Sequence, residues 1–110
     1  MQGDSDATDD DLTALVHAAG GGDAAAMREL FAAVYGDLKR LAHHQLVAAP
    51  NATINTTGLV HETYLKLVRG NSLQINERSH FFATAAKAMR QIVVDRARRR
   101  VAQKRGGEAS

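Results

Sequence analysis

The stretch His80–Arg105, HFFATAAKAMRQIVVDRARRRVAQKR, decides how the rest of the chain is read. Its residues Phe82, Ala85, Ala86, Met89, Ile92 and Val93 recur at three- and four-residue steps, which places them on one face of a helix. A helix with one apolar face lies against a core, so the first half of this segment belongs to a packed body. Continued at about 100° per residue, the same face meets Arg96 and Arg100. Guanidinium groups are not buried without partners, so the helix is expected to outrun the body it packs on. The opposite face collects His80, Lys87, Gln91, Arg98 and Arg105, with Arg90 at its margin. Such a face presents positive charge to a polyanion.

Outside this segment the chain is ordinary in size and unusual in charge. Its 110 residues make one domain with one modest core, burying roughly 60–65% of the unfolded surface. The absence of cysteine excludes disulfides, thiolate metal sites and thiol catalysis, and fits a reducing compartment. No apolar run approaches the length of a membrane span, and the acidic start is unlike a secretory leader, so a cytoplasmic protein with no membrane partner is expected. The net charge of +2 conceals an asymmetry: residues 1–30 hold seven acidic side chains and one basic, residues 87–105 eight basic and one acidic. A single proline and many Ala, Leu, Arg and Lys favour helix, and neither strand alternation nor an internal repeat is visible. The expected fold is all-α, a compact domain of about four helices ending in the long basic one.

Taken in order, residues 1–8 are expected to be disordered, 9–105 to form the helical domain, and 106–110 to be a flexible tail or the start of a linker. Thr8 can cap a first helix whose opening carboxylates, Asp9, Asp10 and Asp11, suit the positive end of the helix dipole. Leu12, Leu15 and Val16 give it an apolar edge, Gly20–Gly22 end it, and Asp23 caps the next. From Ala24 to Ala48, Met27, Leu30, Phe31, Val34, Leu38, Leu41, Ala42 and Gln45 keep one unbroken helical period, predicting a single helix. Pro50 and Asn51 break it, and Asn55, Thr56 or Thr57 can cap a third helix of about twelve residues that Gly70 stops. Val60, Tyr64, Leu67 and Val68 should face inward there, with His61, Glu62, Lys66 and Arg69 outward. Tyr35 is also expected in the core. A polar loop, Asn71–Arg78, follows; Ser79 can then cap the basic helix, and Gly106 and Gly107 mark its end.

No catalytic chemistry is legible. His61 and Glu62 begin HETYL, but Leu65 stands where the helical zinc-protease motif needs histidine. His43 and His44 project about 100° apart on a helix and are poorly placed to chelate one ion. Gly20–Gly22 lack the lysine and hydroxyl of a phosphate-binding loop. No enzyme activity, metal or cofactor is expected.

The succession GLVHETYLKL (58–67), a polar loop, then SHFFATAAKAMRQIVVDRARRR (79–100) resembles region 2 of bacterial sigma factors of the extracytoplasmic-function group. Leu59, Val60, His61, Glu62, Tyr64, Leu65 and Lys66 fall on the group's pattern Asp-Leu-Val-Gln-Glu-x-Phe-Leu-Lys, with departures at Gly58, His61 and Tyr64. Phe81, Asp95, Arg98 and Arg99 match its fourth-helix spacing, and Thr84 stands where tryptophan is common. The resemblance covers about Leu12 to Arg105 and implies binding to the clamp helices of core RNA polymerase by the third helix. His61, Glu62, Lys66 and Arg69 are the residues expected to face polymerase. It further implies reading of the −10 element of promoter DNA, as an opened non-template strand, by the loop and the basic helix.

Lys87, Arg90, Arg96, Arg98 and Arg99 would then hold phosphates, giving affinity and register rather than sequence choice. Asn71, Ser72, Gln74 and Asn76 could pair with an extruded base, with Arg78 and Phe81 completing the DNA-facing set. Phe81, one residue from Phe82, is a base-stacking residue or a core one, and Asp95 can pair with Arg98 or Arg99 along the helix. The resemblance also admits an anti-sigma factor as a partner. Two readings from the residues alone stay open: a nonspecific nucleic-acid-binding helical protein, and a helical protein-interaction module whose basic end serves solubility.

Overall fold

The computed structural model describes residues 9–70 and 77–109, and these form five helices and no strand. They are α1 (Asp9–Gly20), α2 (Ala24–Ala33), α3 (Tyr35–Val47), α4 (Thr56–Arg69) and α5 (Arg78–Ala109). The all-α expectation holds. Helix α1 packs on α2, α3 on α4, and the first half of α5 lies against α3 and α4 and touches α1. Thr8 and residues 71–76, where a cap and most of the polar loop were expected, lie outside the described residues.

The α1–α2 corner follows the sequence closely. Gly22 takes φ +100°, a region in which a side chain would cost about 1–2 kcal/mol, and the Asp23 amide donates to the Ala18 carbonyl at 3.1 Å. Asp23 then accepts from the Ala26 amide at 3.1 Å, as an N-cap does. Asn55 does the same for α4, accepting from the Gly58 amide at 2.7 Å. A Cβ on Gly58 would sit 3.1 Å from both that Asn55 oxygen and Ile54 Cγ1, so the glycine leaves room for the cap.

Four local expectations are corrected. The helix predicted over 24–48 breaks at Val34 (φ −114°, ψ 22°) into α2 and α3. Hydropathy could not reveal this. Val34 still donates to Leu30 O and accepts from Leu38 N, so the buried series Leu30, Val34, Leu38 keeps its four-residue step through the bend. β-Branched Val34 and then Gly36, both poor helix formers, mark the place where bending is cheap. On α4 the fully inward residues are Leu59, Val60, Thr63 and Leu67, while Val68 is exposed and Tyr64 half-buried. Thr63 can go inside because its hydroxyl donates to the Leu59 carbonyl at 2.7 Å. Tyr35 is 42% exposed, its ring under the Lys39 ammonium. Finally, α5 starts one residue before Ser79, whose hydroxyl donates to the Glu77 carboxylate instead of capping, and it runs through Gly106 and Gly107 to Ala109. Glycine disfavours helix by only about 1 kcal/mol per residue and does not forbid it.

Phe81 is also settled. It is fully buried in the first turn of α5, edge-on to Phe31 (5.7 Å between ring centroids) and to Phe82 (5.4 Å), while Phe31 meets Tyr64 at 5.2 Å. It is therefore a core residue and does not stack on a base. The inward set of α5 is Phe81, Ala85, Ala88, Met89, Ile92 and Val93; Phe82 and Ala86 are only half-buried. Burial stops at Val93, and from Arg98 to Lys104 every residue is exposed. The helix does outrun its body.

Candidate functional site

Helices α4 and α5 lie side by side, and their outer faces form an open trough of about 560 Å³. His61, Glu62, Leu65, Lys66 and Arg69 line it from α4; Ile92, Asp95, Arg96 and Arg99 from α5. Arg96 sits four residues after buried Ile92, so it points along the stripe that packs the body and arrives over the start of α4. The partner that burial demands is there. Arg96 Nη2 donates to Glu62 Oε2, and Arg96 Nη1 reaches the Thr53 carbonyl in a long hydrogen bond of 3.4 Å. Its Nε is buried without an acceptor, so the pair is not the bidentate fork of the strongest arginine–carboxylate contacts. The two side chains are 29% and 35% exposed. That puts the loss of one partner between the values for surface and buried pairs, about 1–3 kcal/mol.

The other side of α5 is different. Lys87, Arg90, Gln91, Val94, Asp95 and Arg98 line a second shallow groove whose charged members are all exposed. Asp95, which could pair with Arg98 or Arg99, forms no ion pair with either among the described residues, so no direct carboxylate contact holds the cations of this face. Exposed charge that is mainly positive, Lys87, Arg90 and Arg98 against Asp95, attracts a polyanion over a distance set by salt.

Of the residues singled out from the sequence, the fold joins Glu62 to Arg96 directly and sets His61, Lys66 and Arg69 around the same trough as Arg99. Lys87, Arg90 and Arg98 gather on the second face. Arg78 opens α5, and Asn71, Ser72, Gln74 and Asn76 lie outside the described residues. Sequence reasoning missed Thr53, which acts through a backbone carbonyl that no side-chain pattern reveals, and Gln103, which lines a concavity with Arg96, Arg99 and Arg100. The helical step from Arg99 and Arg100 could have found Gln103. Among the described residues no three His, Cys, Asp or Glu side chains are grouped to hold a metal, and no helix is long and apolar enough to cross a membrane.

The site thus consists of an all-α body, a polar α4 face and, beside it, a projecting helix with a mainly cationic face. The family model described as ECF sigma factor matches residues 9–110. The chain belongs to the ECF sigma factor family, whose members are regulatory, non-catalytic proteins of transcription initiation that work with RNA polymerase and promoter DNA in the cytoplasm. No curated protein and no solved structure matches it significantly.

Proposed function

We propose that this chain is a polymerase-binding and promoter-reading domain. The outer face of α4, with His61, Glu62, Lys66 and Arg69, meets the clamp helices of core RNA polymerase. The exposed cations of α5, Lys87, Arg90, Arg98 and Arg99, hold the phosphates of the opened non-template strand at the −10 element. Residues Asn71, Ser72, Gln74 and Asn76, which precede α5, select the base through their amide and hydroxyl groups. Phe81 has no part in this reading, because its ring is in the core.

The observation that carries the proposal is the pairing of an exposed, mainly cationic face on α5 with a polar α4 face on the adjacent helix. Phosphate contacts of this kind set affinity and register, and stacking or edge contacts set sequence. The test has two arms. Purified core polymerase is expected to retain the chain in a pull-down under conditions that retain another sigma domain, and an empty pull-down sinks the polymerase half. A labelled single strand carrying a −10 sequence is expected to bind more tightly than a scrambled strand at fixed salt. Equal binding of both would leave a nonspecific nucleic-acid binder.

A further inference from the structure

Arg96 stands between two surroundings. On one side it lines the trough with Glu62 and Asp95. On the other it lines a separate concavity of about 180 Å³ with Thr53, Arg99, Arg100 and Gln103. No carboxylate lines the second concavity; three guanidinium groups and one amide surround it. Arg99 and Arg100 follow Arg96 by three and four residues, so the three charges crowd one turn of α5 and repel one another. Among the described residues neither Arg99 nor Arg100 has a carboxylate partner. A hollow lined by three guanidiniums, two of them without a carboxylate, suits an oxyanion, and a phosphodiester is the oxyanion that the neighbouring cationic face would deliver. Arg96 is the exception, since Glu62 holds one of its nitrogens while its buried Nε has no acceptor.

We propose that Arg96, Arg99, Arg100 and Gln103 form a site for one backbone phosphate beside Thr53, and that Glu62 competes with this phosphate for Arg96. The inference rests on the proposed reading of α5 as a nucleic-acid-facing helix. Carboxylate and phosphodiester each carry one negative charge, so either can neutralise the Arg96 guanidinium, and the nitrogen that one of them holds is closed to the other. Glu62 thereby lowers the strand affinity of the free domain. A cation that engages Glu62 from outside, on the face assigned to polymerase, releases Arg96 to the strand by the same step.

The experiment is fluorescence anisotropy of a labelled single-stranded oligonucleotide against the 110-residue chain at several salt concentrations, with thermal melts to show that each variant is folded. Glu62→Gln removes the competing charge and keeps the shape. It is expected to tighten binding about three- to tenfold at low salt and to steepen the log–log salt slope by about 0.7, the value for one added single-strand phosphate. Arg100→Gln, at an exposed position and made in the Glu62→Gln background, is expected to flatten the slope again by up to about 0.7, and Glu62→Gln combined with Arg96→Gln to lose the gain of the first change. Unchanged affinity and slope in Glu62→Gln overturn the competition, and a slope that Arg100→Gln leaves unchanged in the Glu62→Gln background overturns the phosphate site. Equal binding of −10 and scrambled strands by the unaltered chain would remove the promoter reading while the slopes still decide the phosphate site. Failure to bind either strand overturns both.

Discussion

Replacing Phe81 by alanine distinguishes a core ring from a base-stacking one. The side chain is fully buried and meets the rings of Phe31 and Phe82 edge-on, at 5.7 and 5.4 Å between centroids. Truncating a buried phenylalanine costs about 3–5 kcal/mol, of which each edge-on ring contact supplies about 0.5–1.5 kcal/mol beyond its area. A domain of this size holds roughly 5–15 kcal/mol in total, so Phe81→Ala removes a large share of its stability. The midpoint of thermal unfolding, followed by circular dichroism at 222 nm, is expected to fall by roughly 15–30 °C. Phe81→Leu, which keeps most of the volume, is expected to lose about 1–2 kcal/mol and to bind single-stranded DNA as the unaltered chain does at a temperature where both are folded. An unchanged melting midpoint in Phe81→Ala, with strand binding lost, would refute the placement of this ring in the core.

Three further changes probe the local arguments. Asp23→Ala removes the α2 cap and is expected to cost about 1 kcal/mol, read as a lower urea midpoint at constant m. Thr63→Val replaces a buried hydroxyl that only doubles up on the Leu59 carbonyl, so a change within about 1 kcal/mol is expected in the same melt. Asp37→Ala breaks the pair with Arg40, whose side chains are 45% and 73% exposed, and should shift stability by less than about 0.5 kcal/mol. A loss as large as that of Asp23→Ala would contradict the treatment of exposed pairs.

The α5 stripe was legible because a long apolar period that fails at a definite arginine carries two facts, a packed half and a projecting half. Its exact phase was not. Phe81 and Phe82 are about 100° apart, as are many pairs flanking an apolar stripe, and alanines at 86 and 88 are too small to decide between two rotations of the helix. The break at Val34 was hidden for the reason that makes it tolerable, since the buried series runs through it without a change of step. Val68 looked inward because it is apolar, and Thr63, being polar, was absent from the inward set; the fold exposes the valine and buries the threonine, whose hydroxyl has a backbone acceptor. At the site, the need for a partner at Arg96 could be read from the stripe, but its identity could not. Glu62 is 34 residues away in the chain, and only the side-by-side placement of α4 and α5 brings them together.

The ring cluster has a practical side. The chain has two tyrosines and no tryptophan, so its near-ultraviolet absorption comes chiefly from Tyr35 and Tyr64. Tyr64 is wedged against Phe31, while Tyr35 lies on the α3 surface beneath a lysine ammonium. A water-soluble quencher therefore reaches one phenol readily, and the fixed chiral surroundings that give near-ultraviolet dichroism belong mainly to the other. The molecule carries two unlabelled optical reporters, one for the integrity of its interior and one for events at its α3 surface.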